Sequence, residues 1–153
     1  MSEVTVALDI DAPPQAVFDL ANDPARLGEW VTIVRSVDSH DDGRLRLGWK
    51  MTETLVLRGV PFQVDWECVE LDEPWLSVLE GKGPVRSRAR VVNRLSETPD
   101  GGTHYEYTND FRAPFGPLGK TAARVVAGGV PEREALGSLQ NLKAILERER
   151  ARA

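Results

Sequence analysis

The sequence predicts an α+β fold: a curved antiparallel sheet of about seven strands wrapped around one long C-terminal helix, with two short helices after the first strand. Apolar and polar residues alternate with period 2 over most of positions 4–111, which is typical of strands with one buried face. Helix-start signals interrupt this alternation at residues 11–13 and 22–24. After residue 117 the apolar spacing changes to about 3.6 residues, the period of a helix.

The composition is that of an ordinary globular chain. Its 153 residues are 41% apolar and 28% charged, with a net charge of -5 and an isoelectric point near 5.1. This acidic balance disfavours a nucleic-acid partner, because phosphate binding needs a basic face. The single cysteine, Cys68, excludes an intrachain disulfide and favours a reducing compartment. We expect a single cytoplasmic domain over residues 1–153, without an integral membrane segment, as a monomer or homodimer.

The N-terminal region predicts one strand and two short helices. The apolar positions of the strand are Val4, Val6, Leu8 and Ile10. Asp11-Ala12-Pro13 and Asn22-Asp23-Pro24 each combine an N-cap residue with a first-turn proline. The second start follows the first so closely that neither helix can be long. We expect the two helices to close one end of a cavity.

A meander of strands is predicted after the short helices. It begins with a strand over Thr32–Ser39, and later strands cover residues 45–57, 62–71, 75–80, 85–95 and 103–111. In the strand over 45–57, one face carries Leu45, Leu47, Trp49, Met51, Glu53, Leu55 and Leu57. One-sided alternation of this kind indicates an antiparallel sheet with one covered and one solvated face. The solvated face is expected to carry Arg86, Arg88, Arg90 and Arg94.

One long amphipathic helix is predicted at the C-terminal end. Its apolar stripe comprises Leu118, Ala122, Val125, Val126, Ala135, Leu136, Leu139, Leu142 and Leu146. Gly128, Gly129 and Pro131 predict a kink or a short break, because an internal proline removes a backbone donor. Residues 147–153 are expected to fray.

A cavity follows from this arrangement of elements. A sheet covered by a single helix must curl around it to bury enough apolar surface. One helix of about 10 Å diameter cannot fill so wide a concave face. We therefore expect hollow apolar space between the sheet and the C-terminal helix.

Several segments also resemble a known family. "IDAPPQAVFDLANDPARLGEW", the "GKGP" turn, the "GGTHYEYTNDF" strand and the ending "REALGSLQNLKAILERE" are similar to the START-like (SRPBCC) helix-grip superfamily, in particular its polyketide cyclase/dehydrase branch. The resemblance covers nearly the whole chain. It implies that a lipid, polyketide or quinone-like molecule binds between helix and sheet, without a cofactor. Some members of the family catalyse cyclisation or dehydration, and many only bind or carry.

Glu53 is the first candidate for a functional role, because a carboxylate on an apolar face should have a raised pKa. A proton-shuttling or ligand-orienting role would follow. Alternatively, Glu53 lies near a strand end or pairs with a structural arginine. Arg35 could point inward toward a ligand or Glu53, or equally outward, and Tyr107 is the third catalytic candidate.

The expected pocket lining combines aromatic residues with sparse polar groups, as ligand orientation requires. It comprises Trp30, Trp49, Met51, Glu53, Trp66, Ser87, Asn93, Tyr105, Tyr107, Asn109, Val125 and Gly129. The alternatives are that the tryptophans pack the core and that the hydroxyls satisfy buried backbone groups. His40 and His104 lack metal-ligand spacing, so no metal is expected. Cys68 is interpreted as an inert core thiol.

Three classes of function remain open at this point. The first is a binding or carrier domain for a hydrophobic or amphipathic small molecule. The second is a polyketide aromatase/cyclase or dehydratase, in which the same cavity presses a flexible substrate into a reactive shape. The third is a protein-interaction module that uses the charged surface.

Overall fold

A seven-stranded antiparallel sheet organises the residues that this computed structural model describes, 2–112 and 130–152. The strands are β1 (Ser2–Ile10), β2 (Val34–His40), β3 (Lys50–Leu57), β4 (Val60–Asp72), β5 (Leu76–Lys82), β6 (Arg88–Glu97) and β7 (Thr103–Arg112). Their spatial order is β1-β7-β6-β5-β4-β3-β2. The strands therefore form a meander from β2 to β7, and β1 adds to the free edge of β7. The predicted fold class is confirmed.

The helices are α1 (Pro14–Ala21), α2 (Leu27–Trp30) and α3 (Val130–Ala151), and a 3-10 turn, Pro24–Arg26, precedes α2. Asp23 caps this turn as predicted, because its side chain accepts a hydrogen bond from the Ala25 amide at 3.0 Å. The predicted cap at Asp11 is wrong. The N-cap of α1 is Pro13, and the Asp11 amide instead donates to Glu147 Oε2 at 2.8 Å.

Two predicted strand segments are turns in the structure. Gly48 has a φ of 84°, so the chain turns before β3 and leaves Leu47 66% exposed. Residues 85–87 also lie outside β6, because Pro84–Arg86 forms a 3-10 turn in which Val85 has a φ of 55°. In both places the turn breaks the alternation that the sequence pattern suggested.

Helix α3 lies against β1, α1 and α2 and buries Leu139, Leu142, Ile145 and Leu146. Leu136 is exposed rather than part of the buried stripe. Pro131 occupies the first turn of α3, where a proline is tolerated. The predicted positions Leu118, Ala122, Val125, Val126, Gly128 and Gly129 lie outside the described residues. Within the described ranges, no helix is long and apolar enough to cross a membrane.

The end of α3 is ordered by contacts with the N-terminal region. Residues 147–151, expected to fray, are helical in the structure. Arg26 donates to Glu149 at 2.6 Å, and Arg150 donates to Asp11 at 3.0 Å. Exposed ion pairs contribute little free energy individually. Here they link the last two turns of α3 to the segment that carries α1 and α2.

Gly81 permits a close approach between neighbouring strands on the concave face. It lies opposite Trp66 in the β4–β5 register. A Cβ at this position would lie 2.7 Å from Val64 Cγ1 and 2.8 Å from the Trp66 ring. One side of the Trp66 indole therefore lies over Gly81 of β5, in the space that a side chain at position 81 would occupy.

We expect Gly81→Ala to lower the free energy of unfolding by about 1–3 kcal/mol, because the added methyl group must displace Val64 and Trp66. Gly28→Ala is the matched control, since a Cβ there meets nothing within 4 Å in the exposed first turn of α2. That control should leave stability unchanged or raise it by up to about 1 kcal/mol. Urea unfolding followed by tryptophan fluorescence measures both. Equal midpoints for the two variants would contradict the proposed close approach.

Candidate functional site

Two adjoining chambers lie on the concave face of the sheet, the larger one between the sheet and α3 and the smaller one between the sheet and the short helices. The larger chamber has a volume of about 310 Å³. Its walls include Leu55 and Leu57 of β3, Phe62 of β4, and Ala135 and Leu139 of α3. This volume is about twice that of a ~150 Å³ apolar cavity able to bind benzene. The predicted hollow between sheet and helix is therefore present.

The smaller chamber has a volume of about 130 Å³ and lies beside the short helices. Ala21, Asn22, Pro24 and Leu27 form part of its wall. The two chambers share Trp30, Val31, Ile33, Leu55, Trp66, Tyr107 and Asn109. The prediction that α1 and α2 close one end of the cavity is confirmed.

Glu53 lies in the wall of the smaller chamber and is buried, with 6% of its surface exposed. Its Oε1 accepts a hydrogen bond from Trp66 Nε1 at 2.7 Å, whereas Oε2 is buried and has no partner among the described residues. Burial raises the pKa of Glu53 to about 7; the hydrogen bond from Trp66 opposes this rise, and the nearby charge of Asp38 adds to it. The bonded partner is an indole rather than the arginine of the alternative interpretation.

Tyr107 and Asn109 project from β7 into the walls of both chambers. Asn109 Nδ2 donates to the Tyr107 hydroxyl at 3.2 Å, and Asn109 Oδ1 is buried without a partner in the part of the chain that the structure describes. Burial raises the pKa of Tyr107 to about 12. The hydroxyl therefore stays protonated at neutral pH, and its proton is available for a further hydrogen bond.

Tyr105 does not line either chamber, contrary to expectation. It is fully buried, and its hydroxyl donates to Asn93 Oδ1 at 2.6 Å. Asn93 lines the smaller chamber, but its Nδ2 already donates to Ser77 Oγ at 3.1 Å. This network satisfies its own polar groups and belongs to the core.

The remaining predicted residues divide into lining and non-lining positions. Trp49 and Met51 line the smaller chamber, Ser87 lines the larger one, and Trp30 and Trp66 line both. The Ser87 hydroxyl donates to the Pro84 carbonyl at 2.8 Å and so serves the 3-10 turn. Arg35 is exposed and lines neither chamber, which removes it from the candidate catalytic set. Val125 and Gly129 lie outside the described residues.

Comparison with known families agrees with this architecture. A family model described as "Polyketide cyclase / dehydrase and lipid transport" matches residues 1–147. This chain belongs to that family.

One protein of similar sequence and two solved structures illustrate what this chain resembles. The uncharacterized protein Rv1546 of Mycobacterium tuberculosis is 29% identical over 133 residues, covering 85% of this chain and 92% of the relative. TTHA0849 from Thermus thermophilus has a TM-score of 0.77 at 19% identity, covering 97% and 99% of the two chains. DynU16, from the dynemicin biosynthetic locus, has a TM-score of 0.64 at 16% identity, covering 96% of this chain and 48% of DynU16. The structural likenesses show a shared fold.

Several wall residues of this family member were absent from the predicted lining. Val31 and Ile33 lie in the connection after α2, where the residue pattern indicates no clear strand phase. Ala135 and Leu139 belong to the predicted apolar stripe of the C-terminal helix. That stripe was the sequence signal that could have identified them as wall residues. Ser138 carries no such signal: it is a polar residue among apolar ones, and its hydroxyl accepts the Thr32 amide at 3.0 Å.

The buried carboxyl predicts a characteristic pH dependence of stability. The Glu53 pKa rises from an ordinary value of 4.5 to about 7 on folding. The folded state therefore holds this proton more tightly, and the associated stability is fully present below about pH 4.5 and is lost as pH rises to about 7. The loss is on the order of 3 kcal/mol.

Glu53→Gln should remove this loss, because the amide cannot ionise. The difference in unfolding free energy between Glu53→Gln and the native protein should grow from about pH 4.5 to 7 and then level off. Denaturant unfolding at a series of pH values measures it. Glu67→Gln, on an exposed position of β4, is the control and should follow the native curve. Parallel curves for the native protein and Glu53→Gln would show that Glu53 titrates normally.

Proposed function

We propose that this protein binds or carries a hydrophobic or amphipathic small molecule, such as a lipid, polyketide or quinone-like compound, in the chambers on the concave face of the sheet. The larger chamber is the observation that carries this proposal. Its volume of about 310 Å³ lies at the lower end of the range typical of small-molecule sites. The family description, which includes lipid transport, supports the same function.

The energetics favour an apolar ligand. Side chains such as Leu57, Val64 and Phe62 form most of the wall of the larger chamber. Moving apolar ligand surface from water into contact with them contributes about 25 cal/mol per Å².

Filling the larger chamber should abolish binding. We expect Ala135→Phe, in the α3 wall, to weaken binding of the neutral apolar dye Nile red by about tenfold or more, because the ring occupies ligand space. Ala144→Phe adds the same ring to an exposed position of the same helix and should bind like the native protein. Fluorescence titration measures both variants. Equal dye affinity for the two would place the dye outside this chamber.

A polyketide cyclase or dehydratase activity is the second candidate, and the position of Glu53 favours it. A carboxyl whose pKa is about 7 can both take up and release protons at neutral pH. Tyr107, in the same wall, offers a hydroxyl proton to a substrate carbonyl. The family description also includes cyclases and dehydrases.

Kinetics separate this candidate from simple carriage. If the protein is an enzyme, Glu53→Gln should lower kcat for a poly-β-ketone substrate by about 100-fold or more, because proton transfer is lost. The dissociation constant for the same compound should change little. Unchanged turnover in this variant would exclude Glu53 as the proton-transfer group.

A further inference from the structure

The walls of the smaller chamber contain polar atoms that the described part of the chain leaves unpaired. Glu53 Oε2, Asn109 Oδ1 and Trp30 Nε1 are buried and have no hydrogen-bond partner among residues 2–112 and 130–152. All three residues line this chamber, together with the Tyr107 hydroxyl. Buried polar groups without partners are rare in folded proteins, and each costs free energy. Three of them in the wall of one chamber indicate a polar group of a ligand that satisfies them.

The available atoms include both donors and acceptors. Trp30 Nε1 can only donate, and the Tyr107 hydroxyl has a proton to donate. Asn109 Oδ1 can only accept, whereas the Glu53 carboxyl donates when protonated and accepts otherwise. A carbonyl oxygen accepts hydrogen bonds, and a hydroxyl group both donates and accepts them. Either group can therefore pair with several of these donor and acceptor atoms.

The charges of the walls argue against an anionic ligand group. Among the described wall residues of the smaller chamber, only Glu53 and Tyr107 have ionisable side chains. The larger chamber adds Arg88 and Glu134. A carboxylate or phosphate beside Glu53 would be desolvated without a cationic partner in that wall.

An ammonium group is also a poor match for this set of atoms. It would pair with an ionised Glu53 and could accept no hydrogen bond from Trp30 or Tyr107. A buried ion pair also gains little net free energy, because desolvation offsets the attraction between its members. The neutral group uses more of the available atoms and requires no buried charge.

We propose that the smaller chamber binds a neutral hydroxyl- or carbonyl-bearing end of the ligand, phenol-like in chemistry, while the apolar remainder of the ligand occupies the larger chamber. A phenolic O–H donates to Asn109 Oδ1, and the phenolic oxygen accepts a hydrogen bond from the protonated Glu53 carboxyl, which keeps its proton. This inference rests on the proposed binding function and adds the chemistry of the ligand's polar end.

Affinity should therefore depend on pH through Glu53. Among the described residues, the titratable or charged groups near its carboxyl are Tyr107, from β7, and Asp38, from β2. Tyr107 stays neutral below about pH 12, and Asp38 stays ionised because hydrogen bonds from Thr54, Ser36 and Gln63 lower its pKa. Glu53 is then the group whose charge changes near neutrality. Affinity for a phenol should fall as the pH rises through about 7, by up to about tenfold in total, and then level off, because only the donated hydrogen bond is lost.

Four naphthalene compounds test the proposal, because they share a ring system and differ in one substituent. They are naphthalene, 2-naphthol, 2-naphthoate and 2-naphthylmethylammonium, each measured by displacement of Nile red. We expect 2-naphthol to bind about tenfold more tightly than naphthalene at pH 6, and the two charged compounds to bind more weakly than 2-naphthol. From about pH 5.5 to 8.5, 2-naphthol affinity should fall and naphthalene affinity should stay constant.

Variants assign the effect to the proposed residues. Glu53→Gln keeps a donor and an acceptor, so it should bind 2-naphthol without the pH dependence. Asn109→Leu should lower 2-naphthol affinity to that of naphthalene and leave naphthalene affinity unchanged. If Glu53→Gln does not fold, Asn109→Leu still tests the site. Glu67→Gln, on an exposed position of β4, should reproduce the native pattern.

The outcomes test the phenol-like polar end separately from the binding function. Equal affinity for naphthalene and 2-naphthol would overturn the phenol-like polar end and leave the binding function intact. Tightest binding of the ammonium compound would also overturn it and identify a cation site. Failure of all four compounds and of Nile red to bind would overturn the binding function itself.

Discussion

The structure depends on one geometric constraint: within residues 2–112 and 130–152, one long helix, α3, covers a sheet that is much wider than the helix. Seven strands at about 4.8 Å spacing span roughly 30 Å, whereas α3 is about 10 Å across. Side chains of α3 such as Leu139 and Leu142 fill the part of the concave face that they reach. The remainder needs other cover. Helices α1 and α2 supply it at one end, and hollow space remains between.

The same constraint accounts for the chemistry of Glu53. Its strand position faces the concave side, where it is removed from water but not packed against a cationic partner within the described residues. Trp66 on β4 reaches this carboxyl on the neighbouring strand β3, and Gly81 on β5 leaves room for the other side of the indole ring. The raised pKa is thus a consequence of the backbone arrangement around one tryptophan, rather than of a charged neighbour.

The meander of strands, the short helices and the inward phase of Glu53 were predictable from the sequence, because turn signals separate the strands and regular alternation assigns each residue to a face. The position of β1 beside β7 was not predicted. Alternation fails where the backbone is irregular. Register shifts in β2 explain why the phase of Arg35 was ambiguous, and the turn at Gly48 explains the exposed Leu47. Alternation also cannot distinguish the filled part of the concave face from the hollow part. Tyr105 faces inward as predicted, yet it lies opposite Leu8 and Leu95 in the packed part.

Two polar clusters on the concave face show what distinguishes a site from a core. In the first, Tyr105, Asn93 and Ser77 satisfy one another, so the cluster stabilises the fold without any other molecule. In the second, Glu53 and Asn109 each keep a buried oxygen that has no partner among the described residues. A buried oxygen without a hydrogen bond costs free energy, and under the proposed function a polar group of the ligand supplies the bond. Ligand binding would then stabilise the folded protein, which links stability to occupancy.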